Sequence, residues 1–314
     1  MTDRIPGVVG FEQMLSLAQE RFEGKSKPRA VMTALASHLT LQAFERAFLQ
    51  ELIEPVVVGD PSLFEQEIAR YAPALDAAEI IDEDQPVQAM NVIAEMVAGK
   101  EVDLVVHGGI LSAGLLRSLT TGQSGLFLPG KTVSHVAVAE STAYPKVVLI
   151  SDSVVHDQPD FVTKIGITQN IISLAHQIGI SKPKVGILSA VEVVYPQMPV
   201  TMEAAVLAKM ADREQIKGAY VDGPISVDVA LDKIAAEAKG VKGSSVAGDV
   251  DAFVAPNAAT ALGMYQALHS FGECKLGGVV VGAKVPLALS FPSDCVDTRF
   301  HSILLAVLCT QMNN

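Results

Sequence analysis

Small and polar residues, of the kinds that hold anions or move protons, recur in this sequence where apolar runs end. Four such segments follow runs rich in β-branched residues: His107-Gly108-Gly109, Ser151-Asp152-Ser153, Ser189-Ala190-Val191-Glu192 and Asp222-Gly223-Pro224. In open α/β sheets, ligands bind at the carboxyl ends of the strands, where loops and helix N-termini meet. Gly, Asp and Ser are also ordinary turn residues, so each segment alone is explained by a turn. Their recurrence in one chain favours a shared binding cleft.

Apolar runs and amphipathic stretches alternate along the chain. The runs are continuous, which is typical of strands buried on both faces. They predict strands at Ala30–Ala34, Pro55–Val58, Leu104–Val106, Val147–Ile150, Val185–Leu188, Ala219–Val221, Ala252–Val254 and Gly278–Val281. The stretches predict helices at Phe11–Phe22, Leu63–Tyr71, Val87–Ala98, Phe161–Ile178, Met202–Met210, Val227–Ala238, Ala258–Phe271 and Cys295–Cys309. This alternation predicts an α/β fold with mostly parallel sheets and helices on both faces.

The composition bounds the function. The chain has 314 residues, of which 49% are hydrophobic and 18% charged, so it can form one large core or two smaller ones. A net charge of −12 argues against nucleic acid binding, which needs a basic face. The scattered Cys274, Cys295 and Cys309 suit reduced thiols in a cytoplasmic protein. No signal-peptide pattern or membrane-length apolar run is present, so we expect no membrane partner.

Several other chemistries lack their sequence signatures. The His and Cys residues show no metal-ligand spacing, so no metal is expected. Gly24-Lys25-Ser26 lacks the upstream glycine of a phosphate-binding P-loop. No G-x-G-x-x-G fingerprint follows a predicted strand, and no G-x-S-x-G nucleophile elbow is present.

Read in order, the polar turns resemble the signature series of the phosphate acetyl/butyryltransferase family. The matching segments are Asp103 to Ser112, Leu115-Leu116-Arg117, Ser134-His135-Val136, Tyr144-Pro145, Ser151-Asp152, Pro159-Asp160, Gln169-Asn170, Ser189 to Pro199, Asp222-Gly223-Pro224, Val246-Ala247-Gly248, Pro256-Asn257, Gly282 to Pro286 and Asp294. The order and spacing hold from about Pro55 to the C-terminus. The shorter, butyryltransferase-like branch fits better than the longer acetyltransferases.

The resemblance implies a fold, a reaction and an assembly. It implies two α/β domains, similar to isocitrate and isopropylmalate dehydrogenases, with the active-site cleft between them. Combined with the polar turn at Ser151–Asp160, it predicts one domain at 1–151 plus 290–314 and a second at 152–289. The implied reaction is acyl-CoA plus phosphate giving acyl phosphate plus coenzyme A. Coenzyme A is then a substrate, no cofactor is permanently bound, and the chain is expected to form a homodimer.

The resemblance also implies roles for individual residues. Arg117 matches the family's "LLR" arginine and is the candidate phosphate clamp, although a helix-surface arginine is the plain alternative. Asp294 matches a family aspartate and is a catalytic candidate; it could instead be a mere N-cap for the last helix. His107 is the third catalytic candidate, as a base or anion holder near neutral pH, unless it is a structural histidine. The substrate and coenzyme A contacts are expected at Gly108, Gly109, Ser112, Ser134, His135, Asp152, Ser189, Glu192, Asp222, Gly223, Pro224, Gly248 and Arg299.

Several polar positions of the family are replaced in this chain. Where the family has Ser-Arg shortly before its aspartate, the chain has Phe291-Pro292, and neither side chain can donate to an oxyanion. The other replacements are His107 for a lysine, His156 for an asparagine, Tyr195 and Gln197 for Asn and Lys, and Ala259 and Leu262 for Glu and Asn. The glycines, prolines and apolar frame remain. The pattern indicates a retained fold with altered ligand chemistry.

Three functions stay open at this point. The first is a short-chain phosphate acyltransferase with a divergent active site. The second is a non-catalytic homologue that binds coenzyme A or an acyl phosphate. The third is a metal- and NAD-dependent dehydrogenase on the same scaffold, which would need a cluster of acidic metal ligands that the sequence does not display.

Overall fold

The structure is a computed structural model that describes residues 10–33, 36–108, 126, 128 and 130–310. Its strands are β1 (Arg29–Thr33), β2 (Glu54–Gly59), β3 (Glu79–Asp82), β4 (Leu104–Val106), β5 (Ser134–Glu140), β6 (Val148–Ser151), β7 (Lys184–Leu188), β8 (Tyr220–Ile225), β9 (Ala252–Val254), β10 (Lys275–Val281) and β11 (Leu287–Ala288). Its α-helices are α1 (Phe11–Arg21), α2 (His38–Leu49), α3 (Pro61–Tyr71), α4 (Pro86–Gly99), α5 (Phe161–Gln177), α6 (Pro199–Asp212), α7 (Val227–Leu231), α8 (Lys233–Ala238), α9 (Ala258–Ser270) and α10 (Val296–Cys309).

The chain divides into two compact units. The first unit comprises Phe11–Val133 with Leu276–Asn314, and the second comprises Met1–Gly10 with Ser134–Lys275. The domain boundaries predicted from the sequence, 1–151 plus 290–314 against 152–289, stay a prediction.

Strands of the first unit run in the order β3-β2-β1-β4-β11-β10. Neighbours from β3 to β11 are parallel, and β10 pairs antiparallel with β11. The central strands are buried along nearly their whole length, as continuous apolar runs require. The carboxyl ends of β1, β4 and β11 therefore point to one edge of this unit's strand array.

Strands of the second unit run in the order β5-β6-β9-β7-β8. They are parallel from β6 to β8, and β5 is antiparallel to β6. The segments after β6, β9, β7 and β8 leave from one edge, where β5 begins. Both units thus confirm the α/β class with mostly parallel strands; the likeness to isocitrate dehydrogenase stays a prediction.

Helix α10 is the central helix of the first unit. Every residue from Thr298 to Cys309 is buried, so the helix is enclosed on all sides. It packs against α2 and α1, where the ring of Phe11 stacks on that of His301 with their centroids 3.9 Å apart. The guanidinium of Arg46 on α2 lies 4.0 Å from the centroid of the Phe300 ring. This enclosure fixes the direction in which α10 begins.

Two predicted elements differ from the structure in the second unit. The helix predicted at Val227–Ala238 is broken into α7 and α8 at Asp232, whose backbone is extended and whose carboxylate accepts the N–H of Ile234 at 2.8 Å. The strand predicted at Ala219–Val221 extends to Ile225, so Asp222-Gly223-Pro224 lies inside β8 and is no turn after it. A register shift between β7 and β8 accommodates this segment.

Candidate active site

His107 and Gly108 lie at the carboxyl end of β4 in the first unit. His107 is buried, and its backbone N–H donates to the Ala288 carbonyl at 2.9 Å. The Gly108 carbonyl accepts the N–H of Ser37 at 2.8 Å. A Cβ atom on Gly108 would lie 3.1 Å from the Cα atom of Ala36, so a larger residue would make a tight contact here. The predicted site residues Gly109, Ser112 and Arg117 lie outside the described residues.

Asp294 lies in a tight turn just before α10. Only 1% of its surface is exposed, and its Oδ2 atom accepts the Phe291 N–H at 2.6 Å. The Asp294 N–H donates back to the Phe291 carbonyl at 3.0 Å. The N-cap position of α10 is Cys295, whose side chain makes no capping hydrogen bond. The alternative that Asp294 is a mere N-cap of α10 is therefore wrong, because Cys295 holds that position and the Asp294 carboxylate accepts from Phe291, which precedes it in the chain.

Arg299 is buried on the first turns of α10. Its Nε atom donates to the Asp294 carbonyl at 3.1 Å, and Nη2 donates to the carbonyls of Phe291 at 3.2 Å and Pro292 at 3.4 Å. Nη1 donates to the Thr40 hydroxyl at 3.0 Å. The guanidinium thus joins the turn that carries Asp294 to the start of α2.

Asp152 follows β6 in the second unit and is buried. Its Oδ1 atom accepts the N–H groups of His135, Val154 and Val155 at 3.0–3.1 Å, and Oδ2 accepts that of His156 at 3.1 Å. Burial raises the pKa of the Asp152 carboxyl, and these hydrogen bonds oppose the shift. Asp152 therefore organises the turn that carries His156.

Ser134 and His135 lie at the start of β5, beside Asp152. The Ser134 hydroxyl accepts the side-chain N–H of Asn170 at 2.8 Å, and the His135 carbonyl accepts the Ser151 hydroxyl at 2.8 Å. Burial lowers the pKa of the His135 imidazole to about 3, so this ring is neutral at physiological pH.

Ser189 and Glu192 follow β7. The Ser189 N–H donates to the Ile225 carbonyl at 3.0 Å. Glu192 hydrogen-bonds to the Ser226 hydroxyl and accepts from Lys239 Nζ at 3.2 Å, and Lys239 also pairs with an Asp228 oxygen at 2.9 Å. Burial alone would raise the pKa of Glu192, but its bonds to Ser226 and Lys239 lower it overall. Glu192 thus connects the segment after β7 to the segment after β8 through hydrogen bonds and an ion pair.

The remaining predicted residues of the second unit have backbone roles. Asp222 accepts the N–H of Gly223 at 2.8 Å, and a Cβ atom on Gly223 would lie 2.8 Å from the Cβ atom of Ile187. Pro224 is buried in β8. Gly248 has a φ of +71°, and a Cβ atom there would lie 2.7 Å from the backbone nitrogen of Lys233. Both glycines are required by close backbone packing.

Within each unit, the structure brings some predicted residues together. In the first unit, hydrogen bonds link Gly108, through Thr40, to Arg299 and Asp294, and His107 directly precedes Gly108 in the chain. In the second, Ser134, His135 and Asp152 are direct neighbours, while Glu192 belongs to a separate cluster. Sequence reasoning missed Thr40 and Lys239. Thr40 follows Ser37, whose side chain caps α2, and that cap was the available signal.

The described residues contain no group of three or more His, Cys, Asp or Glu side chains arranged to hold a metal ion. Among the helices described, none is both long and apolar enough to cross a membrane.

Mostly parallel strands with polar groups at their carboxyl edges define an α/β protein, and in such folds ligands bind at those edges. The chain belongs to the phosphate acetyl/butyryltransferase family. Residues 83–307 match the family model described as phosphate acetyl/butaryl transferase. The chain is 35% identical over 288 residues to the phosphate butyryltransferase of Clostridium acetobutylicum, covering 92% of this chain and 95% of that protein. It is 34% identical over 298 residues to the phosphate acetyltransferase of Thermotoga maritima, covering 95% and 99%.

Two solved structures are similar to this chain. A branched-chain phosphotransacylase from Enterococcus faecalis is 26% identical, with a TM-score of 0.76 over 90% of this chain and 99% of that one. A phosphotransacetylase from Streptococcus pyogenes has a TM-score of 0.77 over 96% and 99%. Because its identity is 17%, this second likeness supports the fold alone.

The buried hydroxyl of Ser153 should destabilise the protein. Within the part of the chain that the structure describes, Ser153 Oγ is buried and has no hydrogen-bond partner. Ser153→Ala is expected to raise the free energy of unfolding by about 1 kcal/mol, because an unsatisfied buried polar group is removed. Urea unfolding measures this. The control Ser151→Ala removes the hydrogen bond from the Ser151 hydroxyl to the His135 carbonyl, and it should lower the free energy of unfolding by about 1 kcal/mol. A Ser153→Ala variant less stable than wild type would refute the expectation.

The buried His135 should make stability depend on pH. Its pKa is about 3 when folded and about 6.5 when unfolded, so the unfolded state binds the extra proton first. Stability present above pH 6.5 is therefore lost on acidification, by about 1.4 kcal/mol per pH unit. Urea unfolding between pH 7 and 5 should show this slope in wild type and a flatter one in His135→Gln. The exposed His176, changed to Gln, is the control, and equal slopes in wild type and His135→Gln would contradict the expectation.

Proposed function

We propose that this protein is a phosphate acyltransferase that moves a short acyl group between coenzyme A and phosphate. The observation that supports this best is the buried Asp294, whose turn is tied by Arg299 and Thr40 to the segment of His107 and Gly108. The turn lies in a chain whose named relatives are phosphate butyryl- and acetyltransferases. Coenzyme A and phosphate or acyl phosphate are then its substrates.

The reaction needs a base and a phosphate clamp. When acyl phosphate is consumed, the thiol of coenzyme A loses its proton, its sulfur attacks the acyl carbonyl, and phosphate leaves. A free thiol titrates near pH 8.5, so a carboxylate base that takes its proton accelerates the step. We assign this base to Asp294. His107 and Gly108 would face the developing negative charge.

Phosphate binding is the weak part of this site. Phe291 and Pro292 supply no side-chain donor, and their carbonyls accept from Arg299. Arg117 is then the main phosphate clamp that remains. Losing one charge-assisted contact removes roughly 1.5–3 kcal/mol, or about ten- to a hundred-and-fifty-fold in rate. We therefore expect turnover below that of relatives with the arginine, unless His107 or His156 compensates.

The second candidate function is a non-catalytic protein that binds coenzyme A or an acyl phosphate. It is favoured by the same lack of side-chain donors at Phe291 and Pro292. The replaced pair Tyr195 and Gln197 is also consistent with it, because these exposed side chains hydrogen-bond to each other.

Other features of the proposal extend the family likeness. We expect a homodimer in the cytoplasm, no permanently bound cofactor, and coenzyme A in a cleft between two domains. Ser134, His135, Ser189, Asp222 and Gly248 would shape the walls that hold it, with the other contacts predicted from the sequence.

The proposed base is tested by Asp294→Asn. Thiol release from acetyl-CoA and butyryl-CoA with phosphate should fall by about 10²- to 10⁴-fold, because the amide cannot take a proton. The control is Asp297→Asn, since Asp297 is an exposed carboxylate one turn away that pairs with Arg46. Full activity of Asp294→Asn would show that Asp294 is not the base.

The proposed phosphate clamp is tested by Arg117→Ala, which should abolish turnover. The double variant Phe291→Ser, Pro292→Arg should raise turnover. Vigorous wild-type turnover unaffected by Arg117→Ala would show that another residue clamps the phosphate.

A further inference from the structure

Arg299 donates hydrogen bonds to backbone carbonyls of the turn that precedes α10. The side chain was expected to contact substrate, but only 2% of the residue is exposed. Three of its hydrogen bonds go to the carbonyls of Phe291, Pro292 and Asp294. These carbonyls all belong to one turn. The guanidinium, which extends from α10, therefore binds the turn through three carbonyls and stabilises its conformation.

Thr40 extends this contact to a second predicted site segment. Thr40 is buried, with 1% of its surface exposed, and its hydroxyl accepts from Arg299 Nη1 at 3.0 Å. A hydroxyl that accepts still has one proton to donate. The hydroxyl oxygen of Thr40 lies 3.1 Å from the Ser37 hydroxyl and 3.5 Å from the Gly108 carbonyl oxygen, which accepts the N–H of Ser37 at 2.8 Å. Arg299 and Thr40 are thus joined to Gly108 both directly and through Ser37.

We propose that Arg299 and Thr40 are positioning residues that hold Asp294 in register with the segment of His107 and Gly108. The inference rests on the proposed function, since it gives Asp294 its reason to be held. The Asp294 carboxylate is oriented by the Phe291 N–H at 2.6 Å. Arg299 binds the carbonyl of that same Phe291. Without the guanidinium, the carbonyls of Phe291, Pro292 and Asp294 each lose one donor, and the turn is no longer tied to α10 through these bonds.

The kinetic consequence follows from geometry. A displacement of about 1 Å in a reacting group lowers the rate by about a hundredfold without changing how substrate binds. A positioning role therefore reduces kcat and leaves KM nearly constant. Direct contact with phosphate would instead raise KM for phosphate. A role in packing alone would lower the unfolding midpoint without a specific loss of kcat.

The experiment compares Arg299→Lys, Thr40→Val and Thr40→Ser with wild type, at a temperature where thermal melts show each variant folded. Arg299→Lys should lower kcat about ten- to a hundredfold, with KM for acyl-CoA and phosphate within about twofold. Thr40→Val should lose kcat in the same way, and Thr40→Ser, which keeps the hydroxyl, should recover at least about fivefold of it. Arg46→Lys, an exposed arginine beside the same helix, is the control and should keep its activity.

A readout independent of turnover separates this inference from the proposed function. Amide hydrogen exchange of Phe291 and Asp294 should be faster in Arg299→Lys and Thr40→Val than in wild type. Unchanged exchange, or a rise in KM for phosphate at constant kcat, would overturn the positioning role. If wild type shows no turnover, the proposed function fails, and exchange alone then decides whether the two side chains hold the turn.

Discussion

A buried carboxylate must find hydrogen-bond donors, and this requirement organises the polar edges of both units. Asp152 takes four backbone N–H groups, and Asp294 takes the N–H of Phe291 within a turn whose carbonyls are bound by Arg299. Each aspartate thereby fixes the loop that it sits in. In each unit, the parallel strands end at one edge, and the buried carboxylate fixes the shape of a loop at that edge. The enclosure of α10 on all sides keeps Arg299 in place.

The same frame explains how polar residues could change while the fold remained. Gly223 and Gly248 permit backbone approaches that a Cβ atom would block, so they are constrained by packing. The side chains at 291, 292, 195 and 197 carry no such constraint. Tyr195 is 47% exposed and pairs with Gln197, and the turn at 291–292 is held through its carbonyls. Substitution there leaves the backbone path intact, and the altered ligand chemistry stays a prediction.

Much of the fold could be predicted, because runs such as Leu104–Val106 and Ala252–Val254 are apolar without interruption and read as buried strands. Helix α2 was missed although Ser37 caps it and Leu41 and Phe44 are buried at helical spacing, and Thr40 was missed with it. The contacts of Arg299 and Asp294 could not be predicted from sequence, since they involve backbone atoms of the turn and the hydroxyl of Thr40 on the missed helix. Those contacts exist only once α10 meets the turn at 291–294. The break at Asp232 likewise depends on its side chain capping the next helix.

The frame of this protein is proposed to support acyl transfer between coenzyme A and phosphate. Phosphorus NMR of the purified protein with butyryl-CoA and inorganic phosphate can follow that reaction. We expect a growing acyl phosphate resonance, matched by an equal amount of free coenzyme A and dependent on the protein. If no acyl phosphate forms with butyryl-CoA or acetyl-CoA while calorimetry shows coenzyme A bound, the protein is a binding homologue and the claim of catalysis is wrong.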